Sequence, residues 1–414
     1  MIEHSRYVLP NGLTLLVSED PNTSLVAMNL LYKVGARDED PHRTGFAHLF
    51  EHLMFGGSRH IPDFDTPLQM AGGENNAFTN NDFTDYYITL PRENLETAFW
   101  LESDRMLEPA FSEEGLRVQK QVVIEEFKQR YLNQPYGDVW LLLRPLAYKV
   151  HPYRWPTIGM KVEHIEQATL EEVKDFFYHH YAPNNAILSL SGNIRPGEAL
   201  QLTEKWFGDI PRRELASPEH PQEPLRRGKE TLHVERDVPA SMLYMAWLMD
   251  ARYTPGFYAA DLITDLLANG NSSRLYLRLV KERRLFSQVD AYVTGSLDPG
   301  LLVISATLLD GISMETAEEA ILEELEELRK GQLNERELEK VKNRVASSWA
   351  FTHASILNKA MDLAYFELLD HAGAINREME RYRQVTTADI REKARELFTE
   401  GRLSILYYHA RNER

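Results

Sequence analysis

The sequence predicts an α+β fold made of two homologous, duplicated domains, each an antiparallel sheet with packed helices, joined by a linker. Three observations predict it. The chain has 414 residues, too many for one ordinary core and suited to two domains of about 200 residues each. Residues 208–228 hold four prolines and many charges with almost no apolar periodicity, which reads as a linker between domains at 1–207 and 229–414. The two halves then repeat one order of elements, as a duplication would.

In the first half, apolar runs at 7–9 and 13–18 flank the turn Pro10-Asn11-Gly12 and read as a strand pair. Gly45-Phe46 then opens an apolar helix. A Gly-rich turn follows, then a strand at 86–90, helices, a long helix at 113–131 and a closing strand at 186–191. The second half runs in parallel: a strand at 242–249, Gly256-Phe257 opening an apolar helix to 268, a turn at 269–273 and a strand at 301–307. Helices at 314–330 and 335–350 and a strand at 403–408 complete it. Gln167-Ala168-Thr169 and Gln384-Val385-Thr386 stand at matching places ahead of the two closing strands.

Bulk composition narrows the functional classes. With 43% hydrophobic and 26% charged residues, the chain is an ordinary globular protein. No stretch approaches the roughly 20 apolar residues of a membrane span. A formal net charge of -17 argues against a nucleic-acid partner, which requires clustered Lys and Arg, and leaves room for basic peptides. Zero cysteines exclude disulfides and thiolate ligands, so any metal must be held by histidine and carboxylate. The first strand follows Met1 closely, so the expected compartment is the cytoplasm, or the periplasm if a leader has been removed.

The chemistry is concentrated in G-F-A-H-L-F-E-H-L-M-F-G-G, residues 45–57. At about 100° per residue, His52 lies roughly 40° from His48 and Glu51 roughly 60° to the other side, so all three share one helix face. Phe46, Leu49, Phe50, Leu53 and Met54 fill the opposite arc, and Gly56-Gly57 supplies a stop. Two neutral imidazoles at i and i+4 can chelate one zinc ion, and the carboxylate between them can take a proton from the water that zinc activates. H-x-x-E-H is the inverted form of the H-E-x-x-H zinc signature. A lone histidine near a core is usually just a hydrogen-bonded residue, but the duplication supplies a control. The matching helix of the second half, F-Y-A-A-D-L-I-T-D-L-L-A from Phe257, keeps the apolar face and lacks the motif, so the fold alone does not demand these three polar groups.

A catalytic zinc needs a third protein ligand and an open position. Glu125 and Glu126, in Q-K-Q-V-V-I-E-E-F-K-Q-R, are candidates, because Val122, Val123 and Phe127 mark that segment as partly buried. Adjacent residues on a helix point about 100° apart, so one of the two can face the metal.

Taken with L-P-N-G-L-T (9–14), N-A-F-T-N-N-D-F-T-D-Y-Y (76–87), V-V-I-E-E (122–126), H-P-Y (151–153) with Gly159, and Y-A-P-N-N (181–185) with Ser191-Gly192, the whole chain resembles the pitrilysin and insulinase-like metallopeptidases. The resemblance is to the bacterial branch similar to mitochondrial processing peptidase. It implies two α/β-roll domains and a zinc endopeptidase holding one Zn2+ per chain through His48, His52 and Glu126, with Glu125 as the competing third ligand. It also implies Glu51 as the general base. Asn76 and Ala77 match the family's edge strand, which takes the substrate backbone by strand addition and so accepts many short or unfolded peptides.

The pattern is broken in one place. Active members carry an Arg and a Tyr seven residues apart in the second domain. Here those positions fall on Val280 and Ser287, and neighbouring Arg278 and Phe286 do not restore the pair, since Phe286 has no hydroxyl. The resemblance therefore implies a zinc-bearing subunit whose homologous partner supplies the pair in a heterodimer, with a homodimer as the alternative. A non-catalytic assembly subunit of the same fold and a hydrolase of non-peptide bonds are the competing functions. The remaining histidines carry less: His151 reads as a packed turn residue, His179 and His180 point apart, and His42 and His60 have no useful spacing.

Overall fold

The computed structural model describes residues 1–411 apart from 217 and 332. Its contacts divide the chain into two compact units. The first is built on a six-stranded sheet of β1 (Ser5–Val8), β2 (Thr14–Glu19), β3 (Leu25–Tyr32), β4 (Glu74–Thr79), β5 (Thr84–Pro91) and β6 (Ala186–Gly192). The strand order is β1-β2-β6-β3-β5-β4. In β3, L-V-A-M-N-L-L-Y, every residue after Leu25 is buried. A strand covered on both faces reads as a continuous run without alternation, so period-2 patterning does not reveal it.

The second unit carries β7 (Glu230–Arg236), β8 (Met242–Leu248), β9 (Phe286–Val293), β10 (Leu301–Leu308) and β11 (Leu403–Ala410) in the order β7-β11-β8-β10-β9. Matching β7 to β2, β11 to β6, β8 to β3, β10 to β5 and β9 to β4 superimposes the two strand orders, so the duplication extends to topology. Each sheet is antiparallel apart from one pair, β2 with β6 and β7 with β11. Those are the corresponding opening and closing strands of each repeat.

The paired segments at Thr169 and Thr386 each open a helix. Thr169 caps helix Leu170–His180 and Thr386 caps helix Thr387–Leu397. Each forms a capping box with the acid three residues on, Glu172 and Asp389, which satisfies two otherwise orphaned N–H groups. The long helix of the first half ends at Phe127 and continues as a π turn, Lys128–Leu132.

Chain order and packing part company at two segments. The first unit comprises Met1–Gln129, Trp155–His220 and Trp349–Arg377, and the second Arg130–Arg154, Pro221–Ser348 and Glu378–Arg414. The break at His220/Pro221 lies inside the expected linker. In each half, the helix that follows the long helix packs on the sheet of the other half. Helix Ile356–Leu369 lies on β3 and β6, and helix Val139–Ala147 lies on β7, β8 and β11. Val139, Leu143 and Leu146 share a core with Tyr244, Ala246, Val303, Leu406 and Tyr408. Amphipathic periodicity specifies that a helix has a face to bury, not which sheet receives it.

Candidate metal centre

The motif forms helix Phe46–Leu53 in the first unit. Gly45 precedes it at φ +93, a left-handed conformation that glycine adopts freely, and a Cβ there would stand 2.7 Å from the carbonyl oxygen of Ile158. Gly57, at φ +91, ends the turn after the helix as the sequence suggested. Phe46, Ala47, Leu49 and Phe50 are buried. The ring of Phe50 packs 4.3 Å from Tyr181 and 5.8 Å from Phe177, centroid to centroid. This aromatic anchor fixes the rotation of the helix and so the direction of its polar face.

The N-terminus of this helix is satisfied by a residue the sequence reading missed. Glu39, 6% exposed, accepts the backbone N–H groups of Gly45 at 2.9 Å and Ala47 at 2.8 Å. A carboxylate there meets both the unpaired N–H groups and the positive end of the helix dipole. Burial nevertheless pushes its pKa up to about 8, with the two N–H groups pulling the other way. The only hint in the sequence is an acid six residues before Gly45.

The opposite wall is helix Glu113–Phe127, capped by Ser112, whose Oγ accepts the N–H of Gly115 at 3.0 Å. Leu116, Val123 and Phe127 are its buried residues. Val122, expected to be partly buried, is 44% exposed, because it lies about 100° around the helix from Val123. The helix presents Glu126 to the motif. Glu126 Oε2 stands 3.3 Å from His52 Nε2 and 3.7 Å from His48 Nε2. Glu125 turns away: its side chain is 63% exposed and pairs with Lys128 Nζ at 2.7 Å.

These spacings can be compared with what zinc requires. Donors about 2.1 Å from the centre of a tetrahedron stand about 3.4 Å from one another. The two measured carboxylate–imidazole distances bracket that value, and the three donor atoms all lie within 4.8 Å of one another. Among the described residues this is the one group of three or more His, Asp or Glu side chains arranged to hold a metal ion. Two imidazoles and a carboxylate form a donor set suited to zinc, and three ligands leave a fourth position for water or substrate.

Glu51 lies on the same helix face, and its Oε2 accepts a hydrogen bond of 2.5 Å from the hydroxyl of Thr79, at the end of β4. Asn76 and Ala77 lie on that strand, which among the described residues pairs with β5 alone and forms the edge of its sheet. Of the other histidines, His151 is buried and accepts the N–H of Tyr153 at 3.1 Å. His180 is buried against Phe176, and burial lowers its pKa. His60 pairs with Asp104 at 2.6 Å. In the second unit Val280 lies in a π turn, Tyr276–Glu282, and Ser287 on β9. Arg278 is bound to Glu324 at 2.6 Å and Phe286 is buried in the core.

The two-unit fold and the His-His-Glu group define a member of peptidase family M16. Residues 14–145 match the family model described as Insulinase (Peptidase family M16), and residues 167–345 match the one described as Peptidase M16 inactive domain. The chain belongs to this family of zinc peptidases. The zinc protease PqqE of Helicobacter pylori is 30% identical over 351 residues, 82% of this chain and 78% of that relative. The mitochondrial-processing peptidase subunit beta of Saccharomyces cerevisiae is 23% identical over 351 residues, 81% of this chain and 75% of its own length. The crystal structure of a protease from Helicobacter pylori superimposes with a TM-score of 0.93 at 27% identity, over 99% of this chain and 100% of that one. Pitrilysin shares the fold, with a TM-score of 0.79 at 19% identity over 99% of this chain and 45% of that one.

Proposed function

We propose that this protein is a zinc-dependent endopeptidase acting on short or unfolded peptides, with His48, His52 and Glu126 as ligands and Glu51 as general base. The observation that carries the proposal is the approach of Glu126 Oε2 to both motif imidazoles at tetrahedral spacing. Zinc bound there would polarise the scissile carbonyl and activate a water. Glu51 would take the proton of the attacking water and return it to the leaving amine, work that suits a carboxylate on the ligand face of the same helix. Asn76 and Ala77 would hold the substrate backbone through the edge of β4, where the Ala77 N–H donates to Asn76 Oδ1 at 2.9 Å, reading peptide groups rather than side chains.

The heterodimer belongs to the same proposal. Its support is the pair of positions occupied by Val280 and Ser287, together with the engagement of Arg278 by Glu324 and the burial of Phe286. A homologous subunit would then contribute the missing Arg and Tyr. The test combines metal analysis with peptide cleavage by the purified chain, alone and mixed with a homologous partner. Glu51→Gln is expected to keep zinc and abolish hydrolysis, and His48→Ala to lose the metal. Cleavage by metal-loaded Glu51→Gln would reject the base, and full activity of the isolated chain would reject the need for a partner.

A further inference from the structure

The hydroxyl of Thr79 connects the edge strand to the general base. Thr79 is the last residue of β4, on the same face of the strand as Ala77, and β4 packs beside the motif helix. Its Oγ1 donates to Glu51 Oε2 at 2.5 Å. Across the strand pair lies Thr84, fully buried, with its Oγ1 3.4 Å from Thr79 Oγ1. Thr84 spends its one proton on the carbonyl oxygen of Val34 at 2.9 Å. It therefore offers Thr79 only lone pairs.

We propose that Thr79 is a positioning residue for the reaction: it holds the Glu51 carboxylate in line with the metal site and couples it to the strand that receives the substrate. The inference rests on the peptidase reading above. Thr79 donates its one hydroxyl proton to the Glu51 carboxylate, and so fixes that carboxylate relative to β4. Valine, isosteric with threonine, has no proton to donate. Serine has one.

The experiment compares wild type, Thr79→Val, Thr79→Ser and Glu51→Gln, measuring zinc content, kcat and KM with one fluorogenic peptide. Any partner subunit found necessary for activity is present throughout. Loss of a hydrogen bond to a charged base predicts that Thr79→Val lowers kcat about 10- to 100-fold, with zinc content and KM close to wild type. Thr79→Ser is expected to recover most of kcat. A merely structural role would instead lower zinc content or leave serine as impaired as valine, and either result overturns the proposal. Wild-type kcat in Thr79→Val overturns it with the peptidase reading intact. Undiminished cleavage by Glu51→Gln removes the base assignment and the role of Thr79 together.

Discussion

Replacing Glu126 by Gln tests the metal centre, with Glu125→Gln as the internal control. The two carboxylates are neighbours in sequence and opposites in space. Glu126 Oε2 stands 3.3 Å and 3.7 Å from the motif imidazoles, whereas Glu125 is bound to Lys128 and 63% exposed. Glutamine keeps the shape and removes the negative charge that faces the cation. Mutating groups that only orient a ligand costs about 10- to 100-fold in metal affinity, so a ligand itself should cost at least about 100-fold. With zinc at 100 times the wild-type Kd, binding adds about 2.7 kcal/mol to folding; if Kd rises 100-fold at the same zinc concentration, the gain falls to about 0.4 kcal/mol. For a unit of about 200 residues the zinc-dependent rise in Tm should shrink from about 5–10 °C to about 1 °C. The assay is thermal unfolding of chelator-stripped protein with and without zinc, alongside competition with a coloured chelator. A wild-type zinc shift in Glu126→Gln, or its loss in Glu125→Gln, would refute the assignment.

Glu39→Ala should leave two buried N–H groups at the start of the motif helix without their acceptor, destabilising the protein by about 2–5 kcal/mol; an unchanged Tm would contradict its capping role. Asp85, buried in β5, has its pKa pushed up to about 8 by burial, with the neighbouring Asn29 amide pulling the other way. The folded state therefore keeps a proton that the unfolded chain releases above about pH 4. Its contribution is complete below that pH and is lost as pH rises to about 8. Asp85→Asn should thus flatten the fall of Tm between pH 5 and 8.5, and parallel profiles for the two proteins would contradict this.

The motif face was legible in the sequence because it is local. Residues three and four apart share a helix face whatever surrounds them, so His48, Glu51 and His52 could be grouped from spacing alone. The duplication was legible for a related reason: the paired segments at Thr169 and Thr386 encode the same capping box, formed by residues three apart. The aromatic and aliphatic residues of the motif helix likewise announced which side would be buried.

Residues distant in sequence were decided by packing. Spacing could not choose between Glu125 and Glu126; the burial of Val123 and Phe127 sets the rotation of their helix, and that rotation turns Glu126 toward the histidines. Glu39 under the motif helix and Thr79 beside Glu51 have no periodic signature, since each acts through a loop closure or a strand register. The exchange of helices Val139–Ala147 and Ile356–Leu369 between the sheets of the two halves was equally hidden. An apolar stripe states how much surface a helix must remove from water, and only the assembled sheets determine where that surface goes.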